Sequence, residues 1–210
     1  MSLKSAVRNL LVNYDRAELL SLLDQKQGVI ARLNRLLFDG DELIQWRAAE
    51  ALGWVAGKDP FALEKIIGRL LYTLNDDSGS IGWFTPQALG EIGANDPELV
   101  EDFFPAIISN ISREVFRPGC LWAIGRMARI RPDLVEESGD LVKICLSDPD
   151  PRVRGLACWC FIPIDHAQAK EILQGLLQDK ARFPFYENGE LGLKVVGEMA
   201  LIALNAQKEA

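Results

Sequence analysis

Ile44-QWRAAEALG-Trp54 is the stretch that decides the fold, because it recurs. Aligned on its first residue, it returns as Ile81-GWFTPQALG-Glu91, Phe116-RPGCLWAIG-Arg126 and Val153-RGLACWCFI-Pro163, at spacings of 37, 35 and 37 residues. A fifth copy, Leu193-KVVGEMALI-Ala203, follows 40 residues later. In each copy the first, fifth, eighth and ninth positions are apolar or small. The eighth and ninth positions pair as Ala51-Leu52, Ala88-Leu89, Ala123-Ile124, Cys160-Phe161 and Ala200-Leu201. That spacing is one face of a 3.6-residue helix. Self-similarity at a fixed period marks an array in which each unit buries its apolar face against its neighbours.

A second register lies between the copies. Pro60, Pro97 and Pro132 each stand 16 residues after a segment start and open another amphipathic run. The apolar offsets are filled by Leu63, Leu70 and Leu74, then Val100, Ile107 and Ile111, then Val135, Val142 and Leu146. Proline suits a first helical turn, where its missing N–H has no partner to lose. Asp59 and Asp96 precede two of these prolines as N-caps. Each repeat therefore reads as helix, turn, helix. The expected fold is all-α: an α-α superhelix of about five helix-turn-helix repeats, with no sustained period-2 alternation to suggest strands.

The ends depart from the pattern, as capping units do. Residues 3–25 read as one or two helices with a polar face, Gln25–Gly28 as a turn, and Val29–Phe38 as the first helix of the first full repeat. The expected organisation is an N-terminal helical cap over 1–28 and a repeat array over 29–210, together one continuous domain. The stretch 179–190, DKARFPFYENGE, is longer than its counterparts and reads as an ordered insertion. Pro163 is expected to end the fourth segment early.

These residues resemble the HEAT-like repeats of the phycobilisome-lyase type. The pattern is apolar-Arg-x-x-Ala-x-x-Ala-Leu-Gly, and Ser147-Asp-Pro-Asp-Pro-Arg152 before Val153-Arg154 is its closest match. The resemblance covers about 29–205. It implies the fold, whereas the functions of such proteins range over bilin lyases, DNA repair and adaptors. Repeats longer than the typical lyase-type unit favour the broader label of a HEAT-like solenoid.

The chain has 210 residues, 49% of them hydrophobic and 25% charged, which suits a folded globular protein. A formal net charge of −7 disfavours a globally basic nucleic-acid or membrane-surface binder. No signal peptide and no membrane span is read, so the cytoplasm is the default compartment. Cys120, Cys145, Cys158 and Cys160 form no CxxC pair, and the single histidine, His166, reads as a surface residue at a helix start. No metal site, cofactor or catalytic set is expected: there is no phosphate loop, no nucleophile with a spaced histidine, and no ligand cluster.

The candidate site is a tryptophan stripe. Stepping about 100° per residue, positions 3, 7 and 11 of the aligned segments fall opposite the core face. Every tryptophan stands there: Trp46 and Trp83 at position 3, Trp122 and Trp159 at 7, Trp54 at 11. Glu50, Gln87, Glu91 and Arg126 share the stripe. By resemblance, the second helix of each repeat lines the concave surface, which makes the stripe a ligand-binding groove. The alternative is internal packing, with glycines at position 10 admitting close helix approach and the 179–190 insertion closing over the rings. A second candidate is an anion patch from Arg113, Arg117, Arg152 and Arg154. Its alternative is that these arginines pair with turn aspartates such as Asp76, Asp77, Asp148 and Asp150. The leading functional expectation is a non-catalytic scaffold for a protein or peptide partner. The alternatives are a bilin-lyase-like or alkylpurine-glycosylase-like protein, or an oligomer-forming module; the oligomeric state is not readable.

Overall fold

The computed structural model describes residues 2–75, 82–164 and 168–209. Ile81, Asp76, Asp77 and His166 lie outside the described residues. The chain falls into two compact units, Met1–Phe103 and Phe104–Ala210.

The first unit runs through α1 (Leu3–Val12), α2 (Arg16–Gln25), α3 (Val29–Leu36), α4 (Glu42–Ala56), α5 (Glu64–Asn75) and α6 (Thr85–Asn95). Side-chain caps start several of these elements. Ser2 accepts from the N–H of Ser5, Asp15 from Glu18, and Asp41 from Leu43. Such caps satisfy N–H groups that have no partner inside the helix. Helix α3 packs on α4 and α5 on α6, giving two helix pairs, and α4 lies against α6. The cap helices α1 and α2 close the free side of α4.

The second unit contains α7 (Phe104–Ser109), α8 (Arg117–Ala128), α9 (Gly139–Cys145), α10 (Pro151–Cys160), α11 (Ala169–Gly175), β1 (Arg182–Glu187), β2 (Glu190–Val195) and α12 (Val196–Glu209). Three pairs form here: α7 with α8, α9 with α10, α11 with α12. Helix α10 sits between α8 and α12. The fold is thus an all-α solenoid of stacked helix pairs, with a β-hairpin in the last pair.

The apolar registers end up inside. Ile44, Ala48 and Leu52 are buried, as are Phe116, Cys120 and Ile124, and Val153, Ala157 and Phe161. All nine apolar residues of the outer register, from Leu63 to Leu146, are buried as well. Helix α10 stops at Cys160, ahead of Pro163.

Three expectations need correction. Pro60, Pro97 and Pro132 open 3-10 turns, and the α-helices begin later, at Glu64, Phe104 and Gly139. Asp59 caps its turn by accepting from the N–H of Ala62, whereas Asp96 makes no side-chain cap. The insertion is a hairpin, so strands are present. Its second strand takes Leu193–Val195, and the fifth inner helix starts only at Val196. The buried residues of α12 are consequently Val196, Met199, Ala200, Ala203 and Leu204, while Leu201 is half exposed.

Candidate functional site

Inner helices in a stacked array have neighbours on more than one side, and this decides what becomes of the tryptophan stripe. In α6, all nine residues from Thr85 to Gly93 are buried. A helix buried all round has no solvent face for a stripe to occupy.

In the first unit, Trp46 and Trp54 on α4 are 3% and 6% exposed. Trp46 packs edge-on against Phe84 at 5.3 Å and donates from Nε1 to Glu42 Oε1 at 3.4 Å. Trp54 packs edge-on against Tyr14 at 5.5 Å, with the Arg16 guanidinium 5.6 Å from its ring. Tyr14 takes a left-handed backbone, φ 54°, at the α1–α2 junction and donates its hydroxyl to Glu50 Oε1 at 2.9 Å. Burial and the Glu50 carboxylate push its phenol up to about 12. Beneath it, Arg47 donates to the carbonyls of Leu11 and Val12 at 2.9 and 2.7 Å. Glu50 and Arg47 thus tie the cap helices to α4.

Trp83 is the exception, at 61% exposed. It precedes Phe84, the N-cap of α6, so it stands ahead of its helix, whereas its counterpart Trp46 lies a turn inside α4. One helical turn on, Gln87 is only 4% exposed, and its Oε1 has no hydrogen-bond partner among the described residues. A buried acceptor left unpaired costs about 1–3 kcal/mol. Glu91 follows on the same ridge, buried.

In the second unit, Trp122 and Trp159 are 4% and 8% exposed. Their rings stack at 4.8 Å with 18° between planes. Phe185 of β1 meets both edge-on, at 5.6 and 5.5 Å, and Tyr186 meets Trp122 at 6.3 Å. Arg129 lies over the outer face of Trp159 at 4.1 Å and donates to the carbonyls of Gly125 and Trp159. Desolvation there lowers its pKa. A Cβ on Gly125 would run into the Trp159 ring, and one on Gly155 into Phe183. Arg126 is half-buried at position 11. The open groove expected from the sequence is therefore closed here: the hairpin fills it. The bilin-lyase-like and glycosylase-like expectations relied on an open aromatic cleft, and at Trp122 and Trp159 Phe185 and Tyr186 pack against the rings instead.

The anion patch is also spoken for. Arg117 Nη1 binds Asp148 Oδ2 at 2.6 Å, and Arg154 Nη2 binds Asp179 Oδ2 at 2.8 Å. Arg154 also donates to the carbonyls of Asp148 and Pro149. Burial works to raise the Asp179 carboxyl, yet the Ala181 N–H and Arg154 hold it below the usual range. Arg113 donates to Asn110 Oδ1 at 3.3 Å and lies over the Phe116 ring at 4.7 Å, and Arg152 is half-buried beside its cap Asp150. Repeat-opening arginines here clamp one helix pair to the next turn.

All four thiols are buried. Burial pushes Cys145 up to about 11 and Cys158 up to about 12, and it raises Cys120 and Cys160 further. Thiolate is the reactive form. The folded protein at pH 8 is expected to react negligibly with a disulfide reagent over minutes, and all four thiols are expected to react in denaturant. Rapid reaction of one thiol in the native state would contradict this placement. Among the described residues no group of three or more His, Cys, Asp or Glu side chains is arranged to hold a metal ion.

In the second unit the stripe is closed by the 179–190 insertion, the alternative the sequence offered, through Phe185 and Tyr186; the residues the stripe reading left out are Tyr14, Phe84 and Arg129. One signal for the hairpin was there. Asn188-Gly189 stands between alternating residues, the pairing that a type I′ turn selects.

No family model and no curated protein sequence matches the chain. Solved structures do. An engineered protein, Northeast Structural Genomics Consortium target OR329, aligns over 98% of this chain and 90% of its own, at 18% identity and a TM-score of 0.62. A designed armadillo repeat protein in complex with the peptide (KR)4 aligns over 97% of this chain and 92% of its own, at 20% identity and a TM-score of 0.58. Computationally designed armadillo repeat proteins for modular peptide recognition align over the same shares, at 20% identity and a TM-score of 0.53. At these identities the likeness is one of fold. The architecture is that of an α-solenoid of stacked helix pairs, the fold these repeat structures share. The lyase-type subgroup suggested by its sequence is not among these likenesses. Among the described residues no helix is long and apolar enough to cross a membrane.

Proposed function

We propose that the protein is a non-catalytic scaffold that holds a basic peptide segment on the first unit, with Trp83 as the anchor. The observation that carries this reading is the exposure of Trp83 within a stripe whose other indoles are packed away. An exposed indole is a favoured anchor for a partner, because it combines a large planar contact area with one polar N–H. The ring offers planar contact to a Lys or Arg side chain. A net charge of −7 favours encounter with a basic partner. A similar fold holds the alternating basic peptide (KR)4 in a designed protein, which supports the same class of ligand here.

The test is calorimetric titration of a (Lys-Arg)4 peptide into the intact chain. Binding is expected to weaken steeply with salt. Trp83→Ala is expected to reduce affinity at least tenfold, about 1.4 kcal/mol, with helicity and melting unchanged. Absence of binding by the unmutated chain, or equal binding by a folded Trp83→Ala variant, would overturn the proposal.

A further inference from the structure

The hairpin carries a strand edge that is complementary to itself. Its loop residues Asn188 and Gly189 have φ of 52° and 80°, the left-handed pair of a two-residue type I′ turn. Such a turn closes on a hydrogen-bonded pair, here Glu187 with Glu190. Alternation then makes Phe185–Gly192 and Phe183–Lys194 bonded pairs too. Pro184 fits this parity, because at a non-bonded position it has no inward N–H to lose. The backbone groups of Leu191 and Leu193 therefore point away from β1. Among the described residues neither makes a backbone hydrogen bond outside the hairpin. Both faces of the strand are open at this point: Leu193 is 65% exposed on one, and a Cβ on Gly192 would meet nothing within 4 Å on the other.

Laid antiparallel to itself about Gly192, the segment Glu190-Leu-Gly-Leu-Lys194 matches at every position. Glu190 of one copy faces Lys194 of the other, and Leu191 faces Leu193. The parity agrees independently, since Leu191 and Leu193 are the residues whose backbone groups point outward. Charge supports the same register. Glu187 and Glu190 stand opposite each other as like charges, with Lys194 Nζ on Glu187 Oε2 at 2.8 Å. A second copy adds a cation opposite Glu190. An exposed edge of this kind is a template for strand pairing.

We infer that the protein forms a weak antiparallel homodimer through β2, two hairpins joining into a four-stranded sheet centred on Gly192. The pairing is independent of the peptide site, which lies in the other unit.

Cross-linking of the full chain tests the register. At the two-fold, the two Gly192 positions form a non-hydrogen-bonded pair about 4.5 Å apart, within reach of a disulfide. The two Glu190 positions are offset by roughly 14 Å along the strands, beyond that reach. The native cysteines are buried and do not compete. Under mild oxidation, Gly192→Cys is expected to give mostly covalent dimer, and Glu190→Cys no more than the unmutated chain. Equal cross-linking of the two variants, or none in either, would overturn the inference. Sedimentation equilibrium supplies a second readout without cysteine. Lys194→Glu is expected to weaken dimerisation at least tenfold, and the exchanged pair Glu190→Lys with Lys194→Glu to restore it. A chain that stays monomeric at millimolar concentration, or a double variant no better than the single one, would refute it.

Discussion

Replacing Trp159 with alanine is expected to lower the stability of the second unit by about 3–5 kcal/mol. The indole has neighbours on every side: Trp122 stacked at 4.8 Å, Phe185 edge-on at 5.5 Å, and Arg129 at 4.1 Å. Its removal leaves a cavity walled by rigid rings and unseats β1 from the helices beneath it. Arg129 keeps its bond to the Gly125 carbonyl and loses the ring under its charge. Urea denaturation followed by near-UV circular dichroism reads the effect, because the stacked indoles dominate that signal. Trp83→Ala is the control, expected to shift stability by no more than about 0.5 kcal/mol. A loss below about 1 kcal/mol for Trp159→Ala would mean that the stack is not structural.

Gly53→Ala is expected to destabilise the first unit by about 1–3 kcal/mol, although alanine is the better helix former by about 1 kcal/mol. The sign is decided by the approach of α6. A Cβ on Gly53 would lie 2.6 Å from the Glu91 carbonyl oxygen and 2.7 Å from Asn95 Nδ2. Asn95 itself donates to that carbonyl at 2.9 Å, so the obstacle is a hydrogen-bonded helix end that cannot rotate aside. The two inner helices must part to admit one methyl group. Gly68→Ala on α5 gives the opposite result, because nothing lies within 4 Å of its Cβ. That substitution is expected to raise stability by up to about 1 kcal/mol. Thermal melts of the two variants give the comparison, and a stabilised Gly53→Ala would contradict the close packing of α4 on α6.

The repeats were legible because periodicity reports which residues face a core. Ile44, Ala48 and Leu52, or Leu63, Leu70 and Leu74, needed nothing beyond helical spacing to be placed inside. The stripe was misread for a reason that spacing cannot supply. A helical wheel divides one helix into a core side and its opposite, but the opposite side of α4 meets Phe84 and Tyr14, and that of α8 and α10 meets β1. Those neighbours come from distant sequence. Trp46 and Trp83 hold the same repeat position yet differ in exposure, because the one sits a turn inside α4 and the other just ahead of the α6 N-cap. The hairpin was hidden by the fifth repeat copy, whose first three residues fit a helix register and form a strand instead. The arginines obeyed the plainer chemistry: Arg117 and Arg154 pair with Asp148 and Asp179 nearby.

Acrylamide quenching of the intrinsic fluorescence reaches the central claim most directly, because it asks each indole whether solvent can touch it. The unmutated chain is predicted to show one quencher-accessible tryptophan component over a protected remainder, and Trp83→Phe to abolish the accessible component. Strong quenching that persists in a folded Trp83→Phe variant would mean that the stripe is open, and would contradict a protein in which four indoles are packed away and Trp83 alone meets solvent.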